Sequence, residues 1–249
     1  QVSMSDHHKK RDPRRRPVED RGGTGEKKRR RDLEGAAVNL PNWVVDALVR
    51  VTPKERVGPA LEALGEASAA LSDGRFHVAV KQGTRAKSLA PQDATTRETL
   101  GIALYRVGDW GEALRELRTY RRMTGDTVHL PVEMDSLRAL GRSTDVESAW
   151  KTLQERGGKP DVLKEGAVVY ASHLIDGGDF DGAWKLTQPK GLRSDPREAD
   201  MRLWYVAARS AALRGDAAAA RKLADAIIMA DPGFPGIDEL EREIATASR

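Results

Sequence analysis

Residues 204–220, Trp204-Tyr205-Val206-Ala207-Ala208-Arg209-Ser210-Ala211-Ala212-Leu213-Arg214-Gly215-Asp216-Ala217-Ala218-Ala219-Ala220, decide the fold. A run of strong helix formers stops at Gly-Asp, and a second alanine-rich run starts at once. Glycine reaches φ > 0 without steric cost and Gly-Asp permits a short connection, so the stretch predicts two helices joined by a tight turn. Small alanines on the facing sides let two antiparallel helices approach closely.

The same grammar runs backward through the chain. Alanines stand inside five expected helices at Ala79, Ala113, Ala149, Ala183 and Ala220, spaced 34, 36, 34 and 37 residues apart. Glycines precede them at Gly74, Gly108, Gly141, Gly178 and Gly215, spaced 34, 33, 37 and 37. Four of the glycine-to-alanine intervals are five residues; Gly141 to Ala149 is eight and reads as carrying three extra. Periods near 34 with this punctuation mark arrays of helix–turn–helix units, each needing its neighbours to bury its apolar face.

These residues resemble tetratricopeptide repeats, whose pattern is W-x-x-L-G-x-x-Y, then A-x-x-x-F, then P. The fullest copy has Trp204, Ala207-Ala208, Ala211, Gly215-Asp216, Ala220, Ala224 and Pro232. Another has Leu100-Gly101, Leu104, Gly108-Asp109-Trp110, Ala113 and Leu117. Ala67, Gly74, Phe76, Ala79, Ala86 and Pro91 form a third, and Tyr170-Ala171, Leu174, Gly178-Asp179-Phe180 and Ala183 a fourth. Leu130, Leu137, Gly141 and Ala149 form the faintest. The resemblance spans roughly residues 57–232. It implies an all-α fold, a right-handed helix–turn–helix solenoid of about five repeats. The aromatics two residues after the turn glycines, Phe76, Trp110 and Phe180, are placed to fill the gaps between successive pairs.

The flanks extend this reading. Pro235-Gly236 opens a last helix with Ile237, Leu240 and Ile244 on one side and Asp238, Glu239, Glu241 and Glu243 on the others, as a solenoid cap requires. At the other end Trp43, Val44, Ala47, Leu48 and Val51 fall on one face of a short helix. Thr52-Pro53-Lys54-Glu55 reads as a capping box, and Pro59 as a kink or restart. The repeat domain is therefore drawn over residues 36–249, following a tail of residues 1–35.

Charge divides at that boundary. The 249 residues hold 42 Lys+Arg and 38 Asp+Glu, a net of +4. Residues 1–32 hold 12 and 6 of these, a net of +6, leaving 30 and 32, a net of −2, for the rest. Low hydrophobicity, dense charge and the glycines Gly22, Gly23 and Gly25 mark the tail as disordered. Gln1-Val2-Ser3 ahead of Met4 read as a cloning remnant. The tail's cations Lys9, Lys10, Arg11, Arg14, Arg15, Arg16, Lys27, Lys28, Arg29, Arg30 and Arg31 are candidate polyanion contacts.

Composition narrows the chemistry. With no cysteine there is no disulfide, thiolate metal site or cysteine nucleophile, which fits a reducing cytoplasm. No apolar run is long enough for a membrane span, and no apolar segment follows the basic start as in a signal peptide. The serine-hydrolase elbow, HExxH and dinucleotide glycine patterns are absent, and Gly22–Lys28 lacks the spacing of a phosphate loop. His7, His8, His77, His129 and His173 show no ligand spacing, and Asp176, Asp179 and Asp181 read as a solvated Gly-Asp turn. The expectation is no enzyme, no metal and no cofactor. Arg115, Arg118, Arg121 and Arg122 read as a solvated face ahead of an RNA patch, and Trp150, Trp184 and Trp204 as core residues ahead of a base-stacking platform.

The resemblance also implies a groove lined by the first helix of each pair, at the second, fifth, ninth, twelfth and thirteenth positions. Carried onto this chain, the ninth positions are Ser68, Ile102, Asp135, Ser172 and Arg209. The versions that clamp a carboxylate place asparagine there with flanking lysines; no asparagine stands at these positions, which argues against that ligand. Candidate groove residues are Leu64, Leu71, Tyr105, Arg106, Ile175, Tyr205 and Arg209, with Tyr105, Tyr205 and Arg209 as anchors. The expected function is a non-catalytic interaction scaffold holding a partner peptide or helix in the groove. The alternative comes from the chain's resemblance to short bacterial tetratricopeptide proteins with basic N-termini: an RNA- or ribosome-associated factor using the tail.

Overall fold

The computed structural model describes residues 40–247, and within them every regular element is a helix. Twelve follow one another: α1 (Asn42–Val51), α2 (Lys54–Ser72), α3 (Phe76–Leu89), α4 (Ala94–Val107), α5 (Trp110–Thr124) and α6 (Leu130–Ala139). Then come α7 (Ser143–Arg156), α8 (Pro160–Asp176), α9 (Phe180–Thr187), α10 (Glu198–Leu213), α11 (Ala217–Ala230) and α12 (Ile237–Ala247). Each helix packs on the next; α2 also packs on α4, α6 on α8, α8 on α10, and α10 on α12. The tail drawn over residues 1–35, with its cations, lies outside the described residues.

The turns form as their sequence demands. Gly74, Gly108, Gly141, Gly178 and Gly215 all have positive φ, between 68° and 87°, the region glycine enters most readily. Asp109, Asp179 and Asp216 directly follow three of them. Each accepts a hydrogen bond from the backbone N–H three residues on, satisfying one of the donors a helix start leaves open. One residue type thus ends a helix and the next begins another, which fixes connections of two or three residues.

Packing follows the alanines. Ala79, Ala113, Ala183 and Ala220 are fully buried, but Ala149 is only half-buried. Its expected place is taken by Val146, five residues after Gly141 and fully buried against Leu114 and Leu137. The three extra residues expected there do not exist: a valine fills the position, about one turn before Ala149. Gly101 marks a close approach of α4 to α5, since a Cβ there would meet Leu117 Cδ2 at 2.7 Å.

Two N-terminal expectations need correction. The capping box does not form. Pro53 is the N-cap of α2 without a side-chain cap bond, and the buried Thr52 Oγ1 has no hydrogen-bond partner. Of the kink or restart expected at Pro59, the restart does not occur, since α2 continues through it. That proline is the sixth residue of the helix, so it forgoes the bond an N–H there would make to the Glu55 carbonyl, and the helix continues past the gap. Of the apolar face expected on α1, Val44 and Leu48 enter the core, while Trp43 is 65% exposed and Val51 is exposed as well. Helix α12 buries Ile237, Leu240 and Ile244 against the core built on Trp204, as its pattern predicted.

Candidate functional site

The first helices of the successive pairs share an open groove of about 970 Å³. Tyr105 comes from α4; Pro131, Val132, Asp135 and Arg138 from α6; Asp161 through Ser172 from α8; Glu198 through Val206 from α10 and its start; Phe234 and Pro235 close the far end. The lining follows from helix geometry. Side chains three and four apart share one face, so Pro131, Asp135 and Arg138 point one way while Leu130, Met134 and Leu137 are buried on the other.

Valines give the groove an apolar surface, and two sets of polar links tie its helices together. The Tyr105 hydroxyl donates to Asp135 at 2.6 Å, Arg138 donates to Asp135 at 3.1 Å, and Arg138 reaches Asp176 at 2.7 Å. That chain crosses from α4 through α6 to α8. Arg197 donates to Asp161 at 3.1 Å, and Arg202 pairs with Glu165 at 3.1 Å, joining α10 to α8. Beneath these, Lys164 donates to the buried Asp200. Burial raises the Asp200 carboxyl, but the hydrogen bonds from Lys164 and the Arg197 N–H outweigh it and leave it below the usual range. Glu165 goes the other way. Its burial raises the carboxyl, Arg202 opposes that, and the charges of Glu198 and Asp161 add to the rise.

Of the groove residues expected from sequence, Tyr105 and Tyr205 lie in this lining, as do the ninth-position residues Asp135 and Ser172. The others do not. Leu64 is fully buried against α1 and α3, and Ile175 is buried with Ala171 and Ala183. Leu71 packs on Ala70, Ala79 and Ala103. Arg106 turns away and lies over the Phe76 ring at 4.3 Å, near the first turn rather than the groove. Arg209 donates three forked hydrogen bonds, 2.7–3.1 Å, to Glu243 of α12, so it fastens the last helix. Sequence reasoning missed Val132, Val169, Glu165, Glu198 and Arg202. Their available signal was position, on the faces of α6, α8 and α10 opposite the buried leucines and alanines.

Three of the four arginines clustered on α5, Arg115, Arg118 and Arg121, face carboxylates, while Arg122 donates to the Thr119 hydroxyl. Glu116 is 1% exposed and held by Lys87 and Arg97, each at 2.8 Å, with Arg115 nearby. Glu133, equally buried, is held by Arg121 at 2.9 Å with Arg118 at 3.8 Å. These links bind α3, α4, α5 and α6 together, which favours the structural reading of the cluster over a polyanion patch. Among the tryptophans, Trp204 is core, Trp150 stacks on Tyr170 with ring centroids 5.2 Å apart, and Trp184 lies beneath Arg214. Asp176 and Asp181 pair with Arg138 and Arg214, and Asp179 caps α9.

Among the described residues no helix is long and apolar enough to cross a membrane. Compared with known proteins, the chain matches no family model and no curated protein.

Proposed function

We propose that the chain is a non-catalytic scaffold: a right-handed, tetratricopeptide-like solenoid of five helix pairs closed by α12. A partner's peptide or helix sits in the groove between α4, α6, α8 and α10. The carrying observation is the groove itself, about 970 Å³, lined by the first helices and floored with valines. An apolar floor with a paired polar rim suits an amphipathic segment. A binding role is favoured over catalysis because the groove's guanidiniums are matched to carboxylates.

The test is affinity purification of the full chain from its source cells, with Val132→Asp on the groove floor and Ser148→Asp on α7. A partner retained by the parent chain and by Ser148→Asp, and lost with Val132→Asp, supports the reading. A partner retained equally by all three contradicts it.

A second reading rests on the charge division, +6 in residues 1–32 against −2 in the rest. There the tail contacts RNA or a ribosome. With about six phosphates engaged, log K would fall against log[salt] with a slope of about −5. A flat salt dependence of RNA binding removes it.

A further inference from the structure

The charges of the groove divide into those already neutralised and one that is not. Asp161 is held by Arg197, Asp135 by Tyr105 and Arg138, and Glu165 by Arg202. Glu198 lines the same groove and is exposed. Its carboxylate has no ion-pair or hydrogen-bond partner among the described residues. It stands close enough to Glu165 for its charge to be felt there, together with that of Asp161. Three carboxylates therefore face this part of the groove against two guanidiniums, Arg197 and Arg202, each already engaged. Paired charges do not select an occupant strongly; an unpaired one does, because like charge is repelled and opposite charge is held.

We propose that the groove's occupant is an amphipathic segment of a partner protein that lays apolar side chains on Val132 and Val169 and sets a Lys or Arg between Glu198 and Glu165. This rests on the groove reading of the preceding subsection and adds the partner's chemistry to it. A purely apolar segment would strip water from Glu165 while leaving the neighbouring charge of Glu198 unbalanced. An acidic segment would add a further like charge. A cation fits both the open Glu198 and the half-buried Glu165, and the valines receive the segment's apolar side.

The test pans a display library of random peptides of about twelve residues, roughly three helical turns, on the immobilised full chain. Enriched peptides are then synthesised and titrated against the parent chain, Val132→Asp, Glu198→Gln and Glu198→Lys. The proposal expects apolar residues with an interspersed Lys or Arg and binding lost with Val132→Asp. It expects affinity weakened about tenfold by Glu198→Lys and restored when the peptide's cation is exchanged for Glu. Peptides that depend on Val132 but lack a cation, or ignore Glu198→Lys, overturn this inference and leave the groove reading standing. Peptides indifferent to Val132→Asp, or no enrichment at all, overturn the groove reading and this inference with it. A synthetic peptide of residues 1–35 that displaces the enriched peptides makes the chain's own basic segment the occupant, and overturns the assignment to a partner.

Discussion

The Tyr105 hydroxyl donates a 2.6 Å hydrogen bond to the carboxylate of Asp135, thirty residues further along the chain. The bond joins α4 to α6 at one end of the groove, and Arg138 carries the link on to α8 through Asp176. Groove shape and the spacing of the helices are thus set by the same side chains. Replacing Tyr105 with Phe removes one donor to a charged acceptor and leaves the ring in place. Urea unfolding is expected to show a loss of about 1–2 kcal/mol.

Alkaline titration gives a second check on that bond. All four tyrosines, Tyr105, Tyr120, Tyr170 and Tyr205, are pushed above the ordinary value of 10 by burial first, and Tyr105 is raised furthest, with Asp135 contributing. Phenolate absorbance of the folded chain is expected to rise only above the range of free tyrosine, with Tyr105 last. The unfolded chain releases these protons first, so stability falls as pH climbs past about 10. Tyr105→Phe reduces that fall.

Glu116 behaves in the opposite sense. Burial alone raises its carboxyl, but hydrogen bonds from Lys87 and Arg97 outweigh that and hold it below the usual 4.5. The unfolded chain takes up this proton first, so the contribution is complete above about 4.5 and is lost as pH falls through the depressed value. Glu116→Gln is expected to cost about 2–3 kcal/mol at neutral pH, because it leaves Lys87 and Arg97 uncompensated while both remain partly solvated. It should also flatten the acid limb of a stability-against-pH curve measured by denaturation.

Gly101→Ala tests the close approach of α4 to α5. Alanine is the better helix former, yet its Cβ would meet the fully buried Leu117 at 2.7 Å. Thermal unfolding is expected to show a net loss of about 1–3 kcal/mol from overpacking. A gain would mean that Leu117 repacks freely.

Arg209 and Glu243 fasten the last helix. Glu243→Ala is expected to cost about 1 kcal/mol and to speed amide exchange in α12 ahead of the other helices. Partner binding should be unchanged, because neither residue lines the groove.

The helical class and the turns were legible because they depend on local rules: alanine and leucine runs, glycine at φ > 0, and aspartate at the following cap. Val146 escaped because the position demands a small or medium apolar side chain rather than alanine itself. The groove was legible only in part. Tyr105, Asp135 and Tyr205 were placed by repeat position. Leu64 and Ile175 failed because a one-residue turn on a helix of 3.6 residues per turn shifts a side chain by about 100°, from rim to core. Arg209 and Arg106 were expected in the groove, but their partners Glu243 and Phe76 lie 34 and 30 residues away, on other helices. Long-range pairing of this kind leaves no local pattern.

The most direct measurement places a photo-cross-linking residue at Val169, in the groove, or at Gln154, on the exposed side of α7, in the full chain within its source cells. A discrete protein adduct at position 169 and none at 154 is the predicted result. An adduct at 154 with none at 169 would contradict the groove as the partner surface.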